Sequence, residues 1–253
     1  MAFERYRHAL LDARDVHDPR LLIAREGALE VRYAPFDHVT PTARLVILGI
    51  TPGEQQANTA IREAARALRS GASDADALAR AKAHASFSGA MRTNLVAMLD
   101  HVGINDALDI ASCATLWTRD LHLVQFASTL RYPVFAGGRN YTGSSPKMTA
   151  SPVLRDQLLA HTAGELATLQ EALVLPLGPA AVDACRFLAR EGMLDPTRVI
   201  EGLPHPSGAN GERIAYFLGR KERDRLSAKT DPSKIEAGRD AARRTVGRWR
   251  SAA

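Results

Sequence analysis

Arg44-Leu45-Val46-Ile47-Leu48-Gly49-Ile50-Thr51-Pro52-Gly53 decides the fold. Its first part is almost continuously apolar, without the alternation of a strand that is wet on one face, so it suits a strand buried on both faces of a parallel sheet. Thr51-Pro52-Gly53 ends it, because proline withholds a backbone donor and glycine frees the chain to turn. Glu54 to Ala85 follows as an alanine-rich helical region, broken by Arg69-Ser70-Gly71-Ala72-Ser73-Asp74 into two helices. A buried strand, a tight turn and a helix open an α/β domain, in which ligands bind at the carboxyl ends of the strands.

Upstream, residues 3–14 carry a helical pattern with Phe3, Leu10 and Leu11 on one side, and Leu29-Glu30-Val31-Arg32-Tyr33 alternates as a short strand. Residues 1–43 are read as an N-terminal cover. Downstream, Ser86-Phe87-Ser88-Gly89 opens a helix whose Leu95, Met98, Leu99 and Val102 form an apolar stripe. A second strand is expected at Ala111–Trp117, a long turn-rich loop over Leu130–Pro152, and a helix over Leu154–Leu169. A third strand is expected at Ala172–Leu177, then a helix over Ala180–Arg190 opened by Gly178-Pro179, and a fourth strand at Arg198–Leu203. Strands separated by helices predict a four-stranded parallel sheet covered on both faces. The whole of 1–253 is read as one domain, with its core over 44–220 and a basic helical extension over 221–253.

The fourth strand runs into Leu203-Pro204-His205-Pro206-Ser207-Gly208-Ala209-Asn210. Two prolines leave His205 little freedom, and Ser207 can cap a helix that continues through Ile214 and Phe217. A rigid imidazole beside the start of a helix suits an anion, or a leaving group that acquires charge. The competing reading is a proline-rich turn with a surface histidine.

Composition bounds the function. The chain has 253 residues, 45% hydrophobic and 24% charged, enough for one large domain. No window approaches the ~20 apolar residues of a membrane span, and the N-terminus lacks the apolar segment of a signal peptide. A cytoplasmic, nucleoid-associated monomer is expected. Two cysteines, Cys113 and Cys185, are too few for a disulfide framework, a zinc site or an iron–sulfur cluster, so no metal and no cofactor is expected. Residues 219–250 hold eleven Lys and Arg against five Asp and Glu, which accounts for the excess in a net charge of +5. Such a segment is the footprint of a protein that meets phosphates, or a solvated basic helix, or a helix that packs its Ile235, Val246 and Trp249 on the body.

Three stretches together resemble the uracil-DNA glycosylase superfamily. They are Gly49-Ile50-Thr51-Pro52-Gly53 after the first strand, Ser86-Phe87-Ser88-Gly89 between, and His205-Pro206-Ser207 after the last strand, in matching order over residues 44–220. The resemblance implies a three-layer α/β/α sandwich and hydrolysis of the N-glycosidic bond of uracil or another deaminated or damaged base, with DNA, single-stranded included, as partner. It implies that His205 donates to the departing base and that Phe87 stacks on it, beside Gly49, Ile50, Pro52, Gly53, Thr118, Arg119 and Asn140. Ser207 and Gly208 would hold a flanking phosphate, and Asn210 or Arg213 would fill the vacated stack. Thr51 stands where typical members carry Asp, Asn or Glu; a hydroxyl positions water but is no base near neutral pH, which brings in Glu54 as the substitute. No asparagine follows Trp117, where these enzymes read the pyrimidine. A catalytically silent nucleic-acid binding relative is one alternative. Another is an enzyme on a small nucleotide or phosphorylated ligand, held at the Thr51-Pro52-Gly53 turn.

Overall fold

The computed structural model describes residues 2–86 and 90–252. From the N-terminus come α1 (Ala2–Asp12), β1 (Leu22–Glu26), β2 (Leu29–Arg32), β3 (Leu45–Gly49), α2 (Glu54–Arg69) and α3 (Asp74–Ala85). The middle of the chain forms α4 (Ala90–His101), α5 (Ile104–Ala107), β4 (Val124–Ser128), β5 (Val134–Ala136), β6 (Arg139–Asn140), α6 (Pro152–Gln157) and α7 (Gly164–Ala167). The last part forms β7 (Leu173–Pro176), α8 (Pro179–Arg190), α9 (Gly211–Phe217) and α10 (Pro232–Ala252). Two compact units result, each built from three separate segments: Met1–Thr40, Gly49–Ser86 and Phe126–Thr168 in the first, Pro41–Leu48, Phe87–Gln125 and Leu169–Ala253 in the second.

The first unit holds an antiparallel sheet in the order β1-β2-β5-β6. Val31 pairs with Val134 and Glu30 with Phe135, and on the other side of β5 Phe135 pairs with Asn140. Gly137 and Gly138, both at positive φ, supply the two-residue turn between β5 and β6 that matches strand twist. The stretch read as a loop over 130–152 therefore contains a hairpin. Helices α2 and α3 pack through small side chains, among them Ala57, Ala60, Ala64, Ala77 and Ala81, all buried. The helix expected at 154–169 runs from Pro152 to Ala167 with a π-helical segment, Leu158–Ala163, inside it.

The second unit carries the parallel elements. β3 pairs with β7 in parallel, Leu45 opposite Leu173 through Leu48 opposite Pro176, and the three-stranded parallel sheet has the order β4-β3-β7. The class is α/β, but two of the four expected strands are not where the sequence puts them. Ala111–Trp117 is no strand: Asp100 accepts from Cys113 N at 2.7 Å and from the Ser112 hydroxyl at 2.7 Å, and Cys113–Trp117 winds into a 3-10 turn instead of seeking a ladder. The strand in that region is β4, seven residues beyond Trp117. Arg198–Leu203 contributes one parallel bridge, Val174 to Val199, with Ile200 N donating to Val174 O at 2.8 Å. It then leaves the sheet because Gly202 sits at φ +102 against Gly238 of α10.

That helix is part of the second unit and not a loose extension. Ile235, Ala242 and Val246 are buried, Trp249 Nε1 donates to Glu171 O at 2.7 Å, and the Arg44 guanidinium lies 4.7 Å above the Trp249 ring. Arg243 donates to His101 O at 3.1 Å, satisfying a carbonyl at the C-terminal end of α4. Cys113 and Cys185 are free and buried; burial pushes the Cys185 thiol up to about 12 and the Cys113 thiol higher still. Among the described residues no helix is long and apolar enough to cross a membrane, and no group of three or more His, Cys, Asp or Glu side chains is gathered as metal ligands would be.

Candidate active site

The loop after β3 lies in the first unit and is bonded at nearly every residue. Gly49 O accepts from Thr129 N at 2.8 Å, and Ile50 O accepts from Leu130 N at 2.9 Å and from the Thr129 hydroxyl at 2.7 Å. The Thr51 hydroxyl donates to Tyr132 O at 3.0 Å and accepts from Val134 N at 3.1 Å. It bridges two backbone groups of the segment that leads into β5. Pro52 is buried. Gly53 N donates to the Gln56 side chain at 3.1 Å, and Glu54 N donates to Asn140 Oδ1 at 2.9 Å. The first donors of α2 are thus satisfied by side chains. The Asn140 amide also lies over Gly53, where an added Cβ would be 3.6 Å from Nδ2. Glu54 Oε1 stands 3.4 Å from His17 Nε2.

Behind this loop is a buried polar network of the same unit. The Tyr132 and Tyr33 hydroxyls donate to the two oxygens of Asp37, at 2.6 and 2.8 Å. Burial and the Asp37 charge push both phenols far above their ordinary value, so they remain donors at any physiological pH. The residue before Tyr132, Arg131, reaches Glu165 at 2.9 Å, and Glu165 also holds Lys82 at 3.2 Å. Lys82 is fully buried and donates to His38 O as well; burial lowers its ammonium, against the pull of Glu165. Tyr132 N donates to Gln157 Oε1 at 3.3 Å. The residues that fix Thr51 are therefore themselves fixed from below.

His205 belongs to the second unit. Ser207 N donates to Nδ1 at 3.2 Å, which makes Nδ1 the acceptor and leaves the imidazole proton on Nε2. The ring lies against Gly178, the N-cap of α8, where a Cβ would come within 3.3 Å of Cδ2; Gly178 also has φ +91. Pro206 is buried and its carbonyl accepts from Asn94 Nδ2, on α4, at 3.0 Å. Burial lowers the His205 imidazole below 6.5, so it is neutral at pH 7. Its Nε2 has no partner among the described residues. The arrangement offers one neutral, oriented N–H donor.

The comparisons with known proteins bear on kinship. The chain is 40% identical over 200 residues to the uncharacterized protein YoxB of Bacillus subtilis (strain 168), over 78% of each chain. It belongs to the YoxB family. No family model matches it, and no solved structure gives a significant match.

In this YoxB-family chain the site residues expected from the sequence fall into several places. Gly49, Ile50, Thr51, Pro52, Gly53, Glu54 and Asn140 come together in the first unit, where Asn140 caps α2. His205, Ser207, Gly208, Asn210 and Arg213 share one segment of the second unit. Ser207 N is engaged by the imidazole and is not available to a phosphate. Asn210 donates to the Ser207 hydroxyl at 3.1 Å, and Arg213 donates to Asn210 Oδ1 at 3.1 Å and to Lys229 O at 3.2 Å, so both tie the segment together. Thr118 and Arg119 follow the 3-10 turn, not a strand end; both are exposed, and Arg119 pairs with Asp120 at 3.4 Å. Phe87 lies outside the described residues. Sequence reasoning missed His17, Asn94 and Gly178. Only Gly178 left a signal, a glycine before a proline at a strand-to-helix junction, and it was read as a helix start alone.

Proposed function

We propose that the protein excises a deaminated or damaged base from DNA by hydrolysing its N-glycosidic bond, on a fold of the uracil-DNA glycosylase type. His205 carries the reading: a half-buried neutral imidazole whose Nδ1 is occupied by Ser207 N and whose Nε2–H is left to donate. Such a donor suits a base oxygen that gains negative charge as the bond to the sugar breaks. Thr51 is assigned a positioning role, since its hydroxyl is engaged on Tyr132 O and Val134 N. Glu54 is assigned the carboxylate role. The phosphate-cradle alternative loses support because Gly53 N and Glu54 N are already bonded to Gln56 and Asn140. A silent DNA-binding relative is the second reading, favoured by the engaged Thr51 hydroxyl.

Alkaline strand scission of oligonucleotides containing uracil, hypoxanthine or xanthine tests the proposal. Scission is expected from the wild type, with His205→Ala losing about 10²–10³ in rate, the usual effect of removing one donor to a developing anion. Binding without scission of any of the three substrates would instead establish the silent reading.

A further inference from the structure

We propose that His17 and Glu54 form the pair that activates water in this reaction, and that the β5–β6 hairpin exists at this position to hold both of its members. The inference rests on the glycosylase reading above.

The geometry comes entirely from the first unit. Phe135 and Asn140 are directly opposite one another across β5 and β6, so their side chains emerge on the same side of the hairpin. Phe135 is buried and its ring lies 4.7 Å from the His17 ring, tilted by 49°. Asn140 accepts from Glu54 N at 2.9 Å. One pair of facing residues thus locates the imidazole with its first member and the glutamate backbone with its second. His17 is held from its own side too: its N–H donates to Asp15 Oδ1 at 2.8 Å, and the neighbouring Val16 N donates to Asn58 Oδ1 of α2 at 2.8 Å. His17 Nε2 then stands 3.4 Å from Glu54 Oε1. Three chain segments that are far apart in sequence thus meet around Glu54, His17 at its carboxylate and Asn140 at its backbone N–H.

Exposure separates this pair from the buried network behind it. The His17 and Glu54 side chains remain 39% and 47% exposed, so water and substrate reach them, whereas Lys82 and Glu165 are sealed. With the Thr51 hydroxyl engaged, Glu54, the first residue of α2, is the first carboxylate after it. Its Oε1 is turned to His17 Nε2, 3.4 Å away.

In the step assigned to the pair, a water O–H proton passes to Glu54 as the water oxygen bonds to the anomeric carbon. The carbon–nitrogen bond breaks, its electron pair leaves on the base, the base anion is protonated in turn from solvent, and Glu54 returns its proton to solvent. His17 does not touch substrate; it is a positioning residue that keeps the carboxylate aimed.

The test is steady-state excision from a uracil-containing oligonucleotide, with kcat and KM for wild type, Glu54→Gln, Glu54→Ala, His17→Phe, His17→Gln and His205→Ala, each shown to be folded by circular dichroism. Glu54→Gln is expected to lose about 10²-fold or more in kcat with KM little changed, and His17→Phe about tenfold. Added formate should restore Glu54→Ala but not His205→Ala, and rescue should fail when His17→Phe is present as well. If His17→Phe does not fold, His17→Gln, which keeps a polar group there, carries the comparison. Wild-type kcat in Glu54→Gln and His17→Gln alongside an inactive His205→Ala would overturn the pair and leave the glycosylase reading standing. Absence of any His205-dependent excision would overturn both.

Discussion

Gly238 and Gly202 set two rules against each other. In the interior of a helix, replacing glycine by alanine stabilises by about 0.8–1 kcal/mol through lost backbone freedom in the unfolded chain. At Gly238 an added Cβ would lie 2.6 Å from Gly202 O and 2.9 Å from its Cα, both backbone atoms. An ordinary carbon contact needs nearly an ångström more, and neither backbone can swing aside as a side-chain tip would. Forcing extra atoms into such a contact costs about 1–3 kcal/mol, so Gly238→Ala should be destabilising by up to about 2 kcal/mol after the helical gain is subtracted. Gly247, in the same helix with nothing within 4 Å, is the control and should show the gain alone. The two variants should therefore differ by about 1–3 kcal/mol, or roughly 2–12 °C in midpoint for a chain of this size. Thermal melts followed by circular dichroism, with urea titrations at 25 °C, measure the difference. A Gly238→Ala midpoint raised as far as that of Gly247→Ala would refute the close crossing, and with it the account of why the chain leaves the sheet after Ile200.

Glu165→Gln should destabilise by about 3–5 kcal/mol, because it strips the counter-charge from Lys82 and Arg131, and urea unfolding will show a lower midpoint at unchanged slope. Thr51→Val should cost about 1–3 kcal/mol by orphaning Tyr132 O and Val134 N while Thr51→Ser stays near wild type, a contrast open to the same titration. His38, His101, His161 and His205 are all held below 6.5, with burial the largest cause in each. The unfolded chain then binds more protons than the folded one as pH falls through 6.5, so these groups carry no penalty above 6.5 and destabilise progressively below it. Unfolding free energies at pH 7.5, 6.5 and 5.5 check the sign, and a rise on acidification would contradict it.

How much of this was legible in the sequence depends on whether a residue's partner is local. β3, β7 and the helices around them follow from apolar runs and from nearby stop signals such as Pro52-Gly53 and Gly178-Pro179. The misplaced second strand had an apolar run as good as the others, but Asp100, eleven residues before Ala111, supplies acceptors that draw Ser112 and Cys113 into a turn. The fourth strand failed for a longer-range reason, the crossing of Gly202 with Gly238. His205 was legible as a rigid residue because its prolines adjoin it, whereas the proton on Nε2 depends on the bend that brings Ser207 N back to the ring. His17 was invisible, since nothing near it in sequence announces Glu54, Phe135 or Asn140.

The pairing of β3 with β7 has a consequence during synthesis. Leu45–Leu48 leaves the ribosome long before Leu173–Pro176 exists to cover that edge. At elongation rates of about 5–20 residues per second, the gap of 128 residues in register means roughly 6–25 s with a Leu-Val-Ile-Leu edge open on the nascent chain. β4 can shield only the opposite edge in that time. The alanine-rich α2–α3 pair, made of local contacts, forms first and keeps the early chain compact, but the strand beside it awaits a distant partner. A ribosome stalled near residue 170 would therefore display an unpaired apolar strand edge, while one stalled far enough beyond Pro176 for β7 to clear the exit tunnel would not.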